Sequence, residues 1–110
     1  MSTYHESSDL GLMKELKALA PVEFKAWVEL DKIVGRTDGK IPQKYRELIA
    51  LAVANTTQCV YCMDVHARAA KKAGASREEV AEAVFLASAL RAGAAAAHGT
   101  LTLKLFDREA

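Results

Sequence analysis

Residues 42–66 read PQKYRELIALAVANTTQCVYCMDVH. Pro42 opens a helix at no cost, because the first helical N–H has no intrahelical partner to lose. Tyr45, Leu48, Ile49, Leu51, Ala52 and Val53 then make the segment to about Asn55 almost wholly apolar. A helix apolar on most of its circumference belongs at the centre of a domain. The polar run Asn55-Thr56-Thr57 breaks it. Thr57 has the chemistry of an N-cap for a second helix that begins with the two cysteines. On that helix Cys59, Cys62 and His66 stand at i, i+3 and i+7, on one face, with His66 one turn beyond Cys62. The expectation is an antiparallel helical hairpin with Cys-x-x-Cys at the start of its second arm. At a helix N-terminus the dipole favours negative charge by about 0.3–1 kcal/mol. An imidazole one turn away can take a thiol proton and leave a thiolate.

Glu47 is the one acid inside the apolar helix. Its polar neighbours Gln43, Lys44 and Arg46 suit a solvated side chain. The hairpin geometry suits another role. Glu47 and His66 lie at similar distances on either side of the break, so an antiparallel pairing sets them at matching heights. A carboxylate facing a histidine fixes its tautomer.

Around this hairpin the chain reads as helices throughout, an all-α domain of about six. Residues 1–8 are polar and form a loose arm, with His5 an exposed histidine. Ser8 caps a short helix over Asp9–Leu19. Pro21 opens a helix to about Val34, on which Phe24 and Trp27 serve the core or a subunit contact. Residues 35–40 are turn chemistry. The cysteine helix runs to about Lys72 and stops at Gly74. Ser76 and Glu79 form a capping box. The helix behind them carries Val80, Ala83, Val84, Leu86, Ala87 and Leu90 inward, to about Leu90. Gly93 marks a break or kink before a sixth helix over 92–106, and His98 on it is packed or capping.

The chain of 110 residues is long enough for one core and one domain spanning 1–110. A net charge of +1, with acids and bases interspersed, argues against a nucleic-acid surface. The opening residues lack the apolar run of a signal peptide. The apolar stretch 83–103 is interrupted by Arg91 and His98 and makes a poor membrane span. These features point to the cytoplasm, where Cys-x-x-Cys serves redox chemistry or metal binding more often than stapling. A zinc site would need a fourth ligand beyond Cys59, Cys62 and His66, with Glu47 or His98 as candidates, and no second Cys/His pair has finger-like spacing. Haem attachment is excluded, because Met63 rather than histidine follows the second cysteine. A thioredoxin-like fold lacks its strand.

Taken together, Glu47, Cys59-x-x-Cys62 and His66, with the run Tyr45–Ala54 and Ala73-Gly74-Ala75 before a capped helix, resemble the AhpD-like alkylhydroperoxidases of the carboxymuconolactone decarboxylase superfamily. The resemblance spans about residues 21–105. It implies an all-α fold and assembly as a homo-oligomer, commonly a hexamer built as a trimer of dimers. It implies that Cys62 is oxidised by a small hydroperoxide, that Cys59 resolves it to a disulfide, that His66 is the base on Cys62, and that Glu47 polarises His66, directly or through a water. An external dithiol is the implied reductant; neither metal nor organic cofactor is implied. Tyr61 stands where the best-known peroxidase member has a histidine, which removes one proton-transfer group. The superfamily's lactone decarboxylases lack the cysteine pair, so decarboxylase chemistry is the weaker implication. A redox-sensing or zinc-binding subunit without catalysis is the rival from the residues alone.

Overall fold

In a computed structural model, residues 4–109 are described; they form five α-helices and one 3₁₀ segment, and no strand occurs among them. The 3₁₀ segment spans Ser7–Leu12, and the helices are α1 (Met13–Leu19), α2 (Pro21–Val34), α3 (Gln43–Thr57), α4 (Val60–Lys72) and α5 (Arg77–Phe106). The central element is α3, which among the described residues is the only helix packed against both α4 and α5. Its inward side carries Glu47, Leu51 and Ala54, which with Ala70 of α4 and Ala87 of α5 are the buried residues. Alanines at two of these contacts let the backbones approach closely. Lys44 of α3 adds a 3.0 Å ion pair to Glu79 of α5.

The α3–α4 connection is tighter than expected and displaced from Asn55–Thr57. All three of those side chains bond back into their own helix: Asn55 Nδ2 to Leu51 O at 2.8 Å, Thr56 Oγ1 to Val53 O at 2.8 Å and Thr57 Oγ1 to Val53 O at 3.0 Å. Polar side chains that satisfy themselves on the preceding turn do not end a helix. The chain turns instead at Gln58, which adopts the left-handed conformation with φ 58°. The Cys59 N–H closes the turn on Ala54 O at 3.0 Å. Thr57 therefore does not cap α4; Cys59 does, its Sγ accepting from the Cys62 N–H at 3.2 Å.

The other end of α4 follows the sequence closely. Gly74 is left-handed (φ 95°), and Gly74 N–H and Ala75 N–H return to Lys71 O and Ala70 O at 3.1 and 2.9 Å. This is the glycine-terminated pattern that satisfies the last carbonyls of a helix. Ser76 and Glu79 exchange both hydrogen bonds of the capping box, at 3.0 and 2.8 Å. Beyond it, two expected helices are one. α5 runs unbroken through Gly93, whose missing side chain faces open space. One glycine costs only about 1 kcal/mol in a helix, and Ala94–Ala97 offset it. Leu86 and Leu90 of α5 are exposed rather than inward. By length and mean hydropathy, 1.4 over its most apolar window, α5 could span a membrane, although Arg91 and His98 interrupt it.

At the N-terminus, residues 1–3 of the expected arm lie outside the described residues. Ser7 and Ser8 belong to the 3₁₀ segment, whose cap is Glu6, reciprocally bonded with Asp9, rather than Ser8. The segment is docked on α4. Ser7 Oγ donates to Asp64, and the Tyr61 hydroxyl donates to Asp9 Oδ2 at 2.8 Å. The His5 ring leans on Tyr61 with centroids 5.7 Å apart. The α1–α2 hairpin packs on itself and makes no helix–helix packing with α3, α4 or α5. The Phe24 and Trp27 rings meet at a tilt of 55° with centroids 5.8 Å apart, and Trp27 is 49 % exposed.

The docking contact is expected to weaken in acid. The Glu6 N–H and then the Tyr61 hydroxyl hold the Asp9 carboxyl below its ordinary value of 3.8. The Glu6 bond lies within the segment, so only the Tyr61 share of the lowering belongs to docking; that share stabilises the docked form above the ordinary carboxyl value and is lost as pH falls through the lowered one. The Tyr61 phenol is shifted upward by the same bond, so alkali leaves the contact intact until above its ordinary value of 10.0. Amide hydrogen exchange in residues 6–12 is therefore expected to speed up in strong acid more in wild type than in Tyr61→Phe. An equal acid response in both proteins would mean that this bond does not hold the segment.

Candidate active site

Hairpin geometry assembles the site. α3 presents Glu47 and α4 presents His66, and His66 Nδ1 lies 2.6 Å from Glu47 Oε2. The contact is direct rather than through a water. Glu47 is only 8 % exposed. A buried carboxylate needs partners for both oxygens, because an unsatisfied one carries the full cost of desolvation. Both have them: Oε2 faces His66, and Oε1 accepts from Gln43 Nε2 at 3.0 Å. With Nδ1 committed to Glu47, the imidazole nitrogen available for other chemistry is Nε2.

Cys59 and Cys62 form a disulfide with Cα atoms 5.3 Å apart. Cys59 is the cap of α4 and Cys62 its third residue, so both sulfurs sit where the helix dipole and the unpaired N–H groups favour negative charge. His66 follows Cys62 by one turn. Helical side chains lean toward the N-terminus, so the imidazole inclines toward the turn that carries Cys62. Glu47 and His66 also line a groove of about 640 Å³ with Asp31, Lys32 and Val34 of α2 and Ile41, Arg46, Ile49 and Ala50. Arg46 serves as a structural clamp on this groove, donating to Ile41 O at 2.8 Å and Val34 O at 2.6 Å.

His98 is not brought to the cysteines. It lies on α5, which does not pack on α4, and its Nδ1 faces Ala94 O at 3.1 Å. No cluster of three or more His, Cys, Asp or Glu suited to a metal occurs among the described residues. The Tyr61 hydroxyl is engaged by Asp9 of the docked N-terminal segment. Sequence reasoning missed Gln43, although its signal was present: it precedes Glu47 by four residues, the spacing at which helical side chains meet. It also missed Asp9 and Ser7, for which no local pattern exists.

An all-helical chain with a disulfide at the head of a hairpin and a buried Glu–His pair one turn on defines a narrow class of proteins. The chain belongs to the carboxymuconolactone decarboxylase family, whose model matches residues 21–104. It is 40 % identical over 82 residues to "Uncharacterized protein 4 in cox locus" of Paracoccus denitrificans, covering 74 % of this chain and 73 % of that one. It is also similar to a crystal structure from Methanobacterium thermoautotrophicum, with a TM-score of 0.68 at 28 % identity, covering 84 % of this chain and 99 % of that one.

Proposed function

We propose that the protein is a thiol-dependent peroxidase that reduces small hydroperoxides by cycling Cys59 and Cys62 between dithiol and disulfide. The observation that carries this reading is the Cys59–Cys62 disulfide at the head of α4, one turn from a histidine held by a buried carboxylate. An unassisted thiol titrates near 8.5, so only a few per cent is nucleophilic at neutral pH. His66 Nε2 takes the Cys62 proton while Glu47 holds Nδ1–H. The thiolate attacks the distal peroxide oxygen; the O–O bond breaks, Cys62 becomes a sulfenic acid, and the alkoxide leaves with the proton returned from His66. Cys59 then loses its proton and attacks the Cys62 sulfur as a thiolate, forming the disulfide while the sulfenic hydroxyl leaves with that proton as water. An external dithiol restores both thiols and becomes a disulfide itself. The reading needs no metal or organic cofactor and suits the cytoplasm, where dithiol reductants are maintained. It includes a homo-oligomer, with the hexamer as the family's common form.

One stoichiometric exposure of the reduced protein to a mild hydroperoxide tests the cycle. Mass spectrometry is expected to show the loss of two hydrogens and a single peptide pair joining Cys59 to Cys62. Separate oxygen adducts on the two cysteines with no bridge would remove Cys59 from the resolving role.

A further inference from the structure

Gln43 completes the site from the side that His66 does not reach, and the geometry points to it as the residue that positions Glu47 for its work on His66. The inference rests on the peroxidase reading for its consequence, though not for its geometry. Among the described residues the Glu47 carboxylate is held by Gln43 and His66, one at each oxygen. The orientation of the carboxamide is dictated by Glu47, because the reverse orientation would set two acceptor oxygens against each other. Gln43 Oε1 is buried with no partner among the described residues, so nothing else in them turns the amide. A buried acceptor left unpaired is a cost, and here it accompanies a donor aimed at the carboxylate.

The neutral donor matters chemically. It gives Oε1 a donor without adding a charge, so Oε2 is left to face His66. An acceptor at Oε2 demands a proton on Nδ1 and leaves the lone pair on Nε2, the nitrogen that must receive the Cys62 proton. The other charged groups on this groove are Asp31 and Lys32 of α2 and Arg46 of α3. The Arg46 guanidinium is engaged by two backbone carbonyls. Without Gln43, one buried Glu47 oxygen has no donor, the carboxylate is no longer held facing the imidazole, and His66 is released to its other tautomer.

The test uses the reduced full chain carrying Cys59→Ser, read by the nitrogen NMR shifts of His66 and by thiolate absorbance, with peroxide consumption measured in the otherwise native chain. Gln43→Leu is expected to convert a predominantly Nδ1-protonated His66 into a mixture, to reduce the Cys62 thiolate fraction at neutral pH, and to slow peroxide consumption about tenfold, as loss of an outer partner of a functional histidine commonly does. Gln43→Glu provides the control for folding. Its protonated carboxyl can donate as the amide does, and its ionised form repels Glu47, so it should match wild type in acid and approach Gln43→Leu as pH rises. An unchanged His66 tautomer in Gln43→Leu overturns the assignment. Should that variant not fold, a Gln43→Glu protein with no pH-dependent loss overturns it equally. A tautomer that moves with Gln43 in a protein that consumes no peroxide would sustain the positioning role and refute the peroxidase reading alone.

Discussion

Cys62→Ser is expected to lose peroxide consumption by more than about a thousandfold, at every dithiol concentration, with helicity unchanged. Removing the reacting atom of a catalytic unit commonly costs this much or more. Serine preserves the size and position of the side chain on α4, so the loss would report chemistry rather than packing. The companion variant separates the two sulfurs. Cys59→Ser should complete one turnover and stop at a trappable sulfenic acid on Cys62, because the first oxidation needs only the Cys62 thiolate. If Cys59→Ser instead loses the first oxidation and Cys62→Ser retains it, the roles are reversed. If both retain full steady-state rates, the dithiol is not the reacting group, and the Glu47–His66 groove would become the place to look for another reaction.

The second large effect concerns assembly. Light scattering at micromolar concentration is expected to give a mass several times the 11.9 kDa of one chain. A compact chain of this length has a radius of gyration of about 13 Å; this one measures 18.2 Å. Its accessible surface is 9141 Å², against roughly 6,000 Å² for a folded monomer of the same mass. The difference, about 3,000 Å² on one chain, is enough to supply an obligate interface, which takes roughly 1,000–2,500 Å² from each partner. Many large apolar side chains are exposed on the chain. Phe85 and Leu86 of α5 stand 73 % and 63 % exposed beside an open groove of about 680 Å³ shared with Leu48, Ile49 and Ala52 of α3. Near-neutral net charge adds little repulsion between copies. The occupant expected on this face is a second copy of the chain. Leu86→Glu combined with Leu90→Glu should then shift the population toward smaller species by at least a hundredfold in dissociation constant, at about 1.5–3 kcal/mol for each buried leucine lost. A wild-type mass of one chain would defeat the expectation.

The parts of the fold legible in the sequence are those whose cause is local. Pro21 and Pro42 stand at the starts of α2 and α3, and Gly74 and the Ser76–Glu79 box mark the α4–α5 join, because each signal is a property of a few consecutive residues. The antiparallel pairing of Glu47 with His66 followed from counting along two helices. The errors share a physical origin too. Asn55, Thr56 and Thr57 suit both a helix end and the last turn of a helix, and only the turn at Gln58, a residue with no special preference for it, decides between them. Gly93 suits a break or a tolerated interior position, and the alanines around it favoured the second. Tyr61 reaching Asp9 across 52 residues of sequence was invisible to any local pattern.

Capping by Cys59 has a further consequence. Most helices are begun by an oxygen, from serine, threonine or aspartate, whose hydrogen-bonding capacity does not vary through a reaction cycle. α4 is begun by a sulfur that in the proposed cycle would be by turns a thiol, a thiolate and half of a disulfide. Sulfur is a weak acceptor when neutral and a stronger one when charged. The hold on the Cys62 N–H would therefore vary with the oxidation state of the very pair it positions. The first turn of α4 would act as a gauge of electrons: firmest when Cys59 is anionic and looser when it is spent. That change would be felt one residue away at Tyr61, and through it by the N-terminal segment, so the redox state of two atoms would be written into the mobility of a stretch of backbone that holds neither of them.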